Sequence, residues 1–176
     1  MSGFLRCCRA LDQVFGSISY ITGKLVAWLT LMMALATTAT VLSRTFLREG
    51  SVALQESVTY MHAIVLMVTA AYTLRHDGHV RVDIFYRRYS PVQKAWTDAL
   101  GSLLFLLPFC VFTLAISWQY VANAWAIGEV SIDAGGLPAV FLLKTLILVY
   151  AGLLALQGLA DLARNLIILT VRDDHG

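Results

Sequence analysis

The sequence predicts an all-α integral membrane protein: four transmembrane helices, with a short amphipathic helix in the membrane interface between the second and the third. Three observations carry that prediction. The chain has 176 residues, of which 59% are hydrophobic and only 14% charged, too apolar and charge-poor for a soluble domain. Four apolar stretches each reach the roughly 20 residues that a helix needs to cross a bilayer core. Between the second and third lies a densely charged segment, Leu74–Tyr89, with Arg75, His76, Asp77, His79, Arg81, Asp83, Arg87 and Arg88. A single membrane domain, residues 1–176, accounts for the whole length, with spans expected at about 21–43, 52–74, 96–124 and 138–166.

The N-terminal 23 residues carry Arg6 and Arg9 among Leu5, Leu11, Phe15 and Ile18, a scatter suited to the membrane surface. Cys7, Cys8 and Cys110 have no metal-binding spacing and read as small residues rather than a disulfide framework. From Leu25 to Leu42 no residue is charged. Ala34-Leu35-Ala36 resembles a signal-peptide cleavage site. The apolar run continues past it, so an uncleaved first span is expected.

The second span is less uniform. Gln55, Glu56, Thr59, His62, Thr69 and Thr73 fall mainly along one stripe at helical spacing. Lipid penalises such groups, so Thr59, His62, Thr69 and Thr73 are expected to face protein. The same holds for Ala34, Thr37, Thr38 and Val41 of the first span.

Within the central segment, Val80, Val82 and Ile84 alternate like a strand, whereas Val82, Phe85, Tyr86 and Tyr89 share a helical face. An exposed strand edge at a membrane leaves backbone groups unpaired. An amphipathic helix over 80–90 is therefore expected, with Arg81, Arg87 and Arg88 against lipid headgroups. Ser90-Pro91-Val92-Gln93 reads as a capped helix start. The apolar pattern then runs on to Ala126, roughly 36 residues or about 54 Å of helix, more than a bilayer core requires. Pro108 should kink it.

The third connection, Gly128–Pro138, holds Glu129 and Asp133 and no Lys or Arg. Pro138 opens the last helix, with Lys144 inside it and Asp161 and Arg164 near its far end. With the N-terminus inside, the inner segments carry nine Lys and Arg (residues 6, 9, 75, 81, 87, 88, 94, 164 and 172) and the outer connections two (44 and 48). The positive-inside rule then places both termini in the cytoplasm. In that topology Glu56 and Lys144 start their helices at the same membrane face, about 6 Å and 9 Å deep. A buried ion pair between them is expected, since an orphan charge at such depth is costly.

No nucleophile constellation, phosphate-binding glycine loop or paired-histidine metal motif is present. His76, His79, Asp77 and Asp83 match no strong zinc spacing and read as a surface loop. No catalysis, cofactor, metal or nucleic-acid partner is expected.

Tyr72-Thr73-Leu74-Arg75 followed by His79-Val80-Arg81-Val82-Asp83, and then Ser131, Gly135-Gly136-Leu137-Pro138, Lys144 and Leu156-Gln157, resemble the small membrane subunit of tripartite ATP-independent periplasmic (TRAP) transporters. The similarity covers residues 52–164, and its motifs are specific in combination rather than singly. The resemblance implies a four-helix scaffold bound to a large multi-spanning subunit that carries the substrate and sodium sites. A periplasmic binding protein delivers an organic acid to that pair and docks transiently. The substrate is not readable from this chain. The length and the missing internal repeat agree with an accessory role. The competing reading is a membrane anchor of a redox complex, holding quinone or haem. A bis-histidine haem needs a partner for His62, the one histidine deep in a span.

Overall fold

The computed structural model describes residues 26, 28–79 and 84–173. Among them are four helices long and apolar enough to cross a membrane. We name these α1 (Trp28–Leu47), α2 (Val52–Arg75), α3 (Pro91–Ala126) and α4 (Val140–Asp173). The described residues contain no strand.

Each boundary has a local cause. Ser51 caps α2, its Oγ accepting from the Leu54 N–H at 3.3 Å. At the other end, Gly78 N donates to Thr73 O at 2.9 Å and Asp77 N to Leu74 O at 3.2 Å. This is the paired closure of a Schellman turn, with Asp77 in the left-handed position at φ 52°. Helix α3 starts as its sequence suggests. Gln93 N donates to Ser90 Oγ at 3.3 Å, and Ser90 N to Gln93 Oε1 at 2.9 Å, completing a capping box with Pro91 in the first turn.

Proline 108 acts on α3 through its missing N–H and its ring, which disturb the preceding turn. The helix widens there into a π turn, Ser102–Leu106, where Leu107 N reaches Ser102 O.

The expected amphipathic helix over 80–90 is not what the described part of that segment forms. Ile84 and Phe85 lie in a turn, and Tyr86–Arg88 make one 3-10 turn before the chain extends at Tyr89. Ser90 begins the α3 cap at once, so no length is left for a further helical turn after Arg88. Residues 80–83, Arg81 among them, lie outside the described residues.

Helix α4 is the centre of the bundle and packs against both α2 and α3. Its buried residues are mostly small: Ala151, Ala160 and Ala163 face a core that includes Ala71 of α2 and Ala95, Ala99, Cys110 and Ala124 of α3. Helices in lipid gain little from apolar burial and associate through close backbone approach, which small residues permit. Gly158 shows this directly, since a Cβ there would come 2.8 Å from a Leu106 methyl beside the π turn. The bundle thus has two ends: one bears the 48–51 and 127–139 connections, the other the arginine-rich 76–90 connection.

Candidate functional site

At the first of these ends, the 127–139 connection is held to the bundle at several points. It begins where Gly128, at φ 57°, closes α3. Gly128 N donates to Trp125 O at 3.2 Å and Glu129 N to Ala124 O at 2.9 Å, a second Schellman turn. The chain then folds back on itself. Ser131 N donates to Leu137 O at 3.2 Å, and Gly136 N to Asp133 O at 3.0 Å. Gly135 takes the positive φ, 78°, that a type II turn demands of its third residue.

Glu56, one turn inside α2, clasps the neck of this loop. Leu137 N donates to Glu56 Oε2 at 2.6 Å, and Ser131 Oγ donates to Oε1. One carboxylate therefore bridges both strands of the neck, with charge-assisted hydrogen bonds stronger than neutral ones. Gly136 makes room for it. A Cβ there would fall 2.8 Å from Glu56 Oε1 and closer still to Ser131 Oγ.

Glu129, near the start of the loop, is tied to α4. Lys144 Nζ lies 2.7 and 2.5 Å from the two carboxylate oxygens of Glu129 and 4.0 Å from the centre of the Tyr120 ring. A cation held between a carboxylate and an aromatic face is satisfied on both sides. Trp125 adds a third tie: its indole N–H donates to Thr145 Oγ1 at 2.8 Å, and its ring meets Phe141 edge-on at 4.7 Å. Outward the held loop shows Ile127, Val130 and Ile132, the last wholly exposed, beside an exposed Asp133.

The expected Glu56–Lys144 pair is therefore corrected. Both residues stand at the same end of the bundle, but each has another partner. Glu129 leaves the α3 cap within reach of Lys144, and two loop donors converge on Glu56. Each carboxylate oxygen of Glu56 already has a donor, Ser131 on Oε1 and Leu137 on Oε2.

The α2 stripe is divided. Thr59 and His62 are exposed, while Thr69 and Thr73 are half-buried. The three hydroxyls return to their own helix. Thr59 Oγ1 donates to Gln55 O at 3.5 Å, Thr73 to Thr69 O at 2.9 Å, and Thr69 to Val65 O. Such back-bonding satisfies a threonine without a neighbouring helix. Arg87 and Arg88 are exposed in the 3-10 turn of the opposite end. His76 and His79 make contacts with backbone carbonyls, at Tyr72 O (2.9 Å) and Ala70 O (3.3 Å). Among the described residues no group of three or more His, Cys, Asp or Glu is placed to hold a metal ion.

Sequence reasoning missed a buried polar row on α4: Gln157, Asp161 and Asn165. Gln157 Nε2 donates to Asp161 Oδ1 at 3.2 Å, and Arg164 Nη2 pairs with the same oxygen at 3.0 Å. The signal was present as polar residues four apart on an otherwise apolar helix.

Neither curated proteins nor solved structures yield a match to the chain. A family does: residues 33–167 match the model for the DctQ component of the tripartite ATP-independent periplasmic transporters. That stretch takes in all but the start of α1, the clasped loop with Glu56, Glu129 and Lys144, and the buried row of α4. The chain is a multi-pass membrane protein and belongs to the DctQ family, the small component of TRAP transporters.

Proposed function

We propose that this chain is a rigid accessory subunit that pairs with a large multi-spanning transport subunit in the bacterial inner membrane. The pair takes up an organic acid delivered by a periplasmic binding protein, with sodium driving the cycle. Both termini lie in the cytoplasm, as the excess of Lys and Arg in the inner segments requires. The clasped loop then faces the periplasm, and Arg81, Arg87 and Arg88 face cytoplasmic lipid headgroups.

The observation that carries this reading is the fixing of the 127–139 loop by Glu56 of α2, by Lys144 of α4 and by the Glu129 N–H on Ala124 O of α3. A moving gate would need a loose loop or a hinge. A loop tied to α2, α3 and α4 instead makes the whole end one body, as a scaffold requires. Its outward Ile127, Val130 and Ile132 offer a preformed apolar surface for the binding protein or for the large subunit. The α2 face bearing Thr59 and His62, exposed in the single chain, is where the large subunit packs.

Uptake in membrane vesicles tests the assignment. Organic-acid uptake should require this chain, the large subunit, the loaded binding protein and an inward sodium gradient together. Full uptake after removal of this chain alone would contradict it.

A further inference from the structure

Tyr60 follows Glu56 on α2 by four residues, about one helical turn, and so shares its face of the helix. Its hydroxyl oxygen is enclosed by this chain, and among the described residues it is the buried side-chain oxygen or nitrogen left without a hydrogen-bond partner. A buried polar group without a partner is costly, and native structures rarely leave one so. The depth sharpens the point. Tyr60 lies about 12 Å along the helix from Val52, inside the span, where lipid offers no hydrogen bond.

The group nearest in kind to that hydroxyl is the Glu56 carboxylate. A helical side chain leans toward the helix N-terminus, over the residue four positions earlier, which brings the phenol end of Tyr60 toward Glu56. The Glu56 charge acts on this hydroxyl, yet no direct hydrogen bond joins the two. Ser131 donates to Glu56 Oε1 and Leu137 N to Oε2. A carboxylate offers about four lone-pair sites, so both oxygens keep acceptor capacity. An unpaired donor and an unfilled acceptor, near but not touching, are the two ends that one water molecule joins.

We propose that a buried water molecule is bound between Tyr60 and Glu56, accepting the Tyr60 O–H and donating to the Glu56 carboxylate. Tyr60 is then a positioning residue of the clasp. It holds Glu56 from within the span through water, while Ser131 and Leu137 hold it from the loop. Other occupants fit less well. The large subunit cannot supply the partner, since the oxygen is already enclosed and the residues of α2 left exposed within the span are Thr59, His62 and Leu66. A lipid tail has no hydrogen-bonding group. A hard cation takes about six or more oxygens, more than one phenol and a carboxylate already bound by two donors supply. The water adds a tie to the rigid loop on which the scaffold reading rests, and its presence is independent of what the assembly transports.

The test joins a structure to a thermodynamic cycle, both on the full-length chain purified with the membrane proteins that accompany it. In a cryo-electron-microscopy reconstruction fine enough to show ordered water, a peak should lie within about 3.2 Å of both Tyr60 Oη and a Glu56 carboxylate oxygen. Tyr60→Phe keeps the ring and removes only the hydroxyl. It should lower the melting temperature by about 2–4 °C, as loss of one bridged hydrogen bond does in a chain of this size. In a Glu56→Ala background the same replacement should shift it by less than about 1 °C, because the bridge is already broken. An enclosed hydroxyl without water gives the opposite sign. Tyr60→Phe would then leave the melting temperature unchanged or raise it, and that result would overturn the inference. Equal losses in both backgrounds would assign the hydroxyl a partner other than Glu56 and overturn it as well. So would a well-resolved Tyr60 with no peak beside it, or with its hydroxyl bonded directly to protein, and neither result needs a variant. Uptake is not read in either experiment, so failure of the water site leaves the transport assignment untouched.

Discussion

The Leu137 N–H donates to the Glu56 carboxylate at 2.6 Å, across 81 residues of sequence, and so joins the base of a loop to the first turns of a helix two spans earlier. The same carboxylate takes the Ser131 hydroxyl. Glu56→Gln keeps one acceptor for Leu137 but loses the charge and presents an amide N–H where a second acceptor stood. Glu56→Ala removes both acceptors and leaves the Leu137 N–H unpaired. Thermal unfolding in detergent should fall by several degrees for alanine and by less for glutamine. Equal melting temperatures in all three proteins would show that the clasp holds nothing.

The Lys144–Glu129 pair predicts a particular pattern of non-additivity. Lys144→Met leaves Glu129 beside Tyr120 without its cation, and Glu129→Leu leaves Lys144 in its span with only the ring. The double replacement leaves no orphan charge and should be better tolerated than either single change. Yield of the intact complex measures it. A double variant as poor as the sum of the singles would mean that the two charges act separately.

Glycine 136, in the loop, and Gly152, inside α4, have opposite surroundings. A methyl at Gly136 would push into Ser131 and Glu56 Oε1, whereas nothing lies within 4 Å of one at Gly152. Gly136→Ala should destabilise by about 1–3 kcal/mol, as overpacking does. Gly152→Ala, inside α4, should be neutral or gain about 0.5–1 kcal/mol in the single chain through helix propensity. Denaturant titration of the two variants beside the parent measures both. A Gly136→Ala chain as stable as the parent would contradict the tight neck.

The helices and their starts were legible because their causes are local. Apolar runs about 20 residues long mark the spans, and Ser90-Pro91-Val92-Gln93 contains its own capping partners. The charge clasp was legible only halfway. Helical depth put Glu56 and Lys144 at one end of the bundle, and they are there. Which partner each takes depends on how residues 129–137 fold back, and that conformation rests on Gly128 and Gly135 at positive φ and on a backbone bond between Ser131 and Leu137. The threonine stripe is silent for a different reason: a hydroxyl that bonds its own helix carries no information about what lies beside it.

Topology follows from the charge count and is open to direct labelling. With Cys7 and Cys8 replaced by serine, Ile132→Cys in the exposed loop should react with an impermeant maleimide from outside intact cells. Arg87→Cys should react only after the membrane is permeabilised. Cys110 is buried and contributes little background. The reverse pattern would invert the protein and, with it, the proposed roles of the loop and of Arg87 and Arg88.

The central claim is that this chain works as the small partner of a larger membrane protein. Its most direct measurement is the mass of what co-purifies with it in mild detergent. The account predicts one copy of this chain bound to one copy of a much larger multi-spanning protein, with Thr59→Cys and His62→Cys shielded from a lipid-phase label in that complex and labelled in the chain alone. Recovery of the chain only by itself or as a self-associated oligomer, with Thr59→Cys and His62→Cys labelled equally in both preparations, would contradict it.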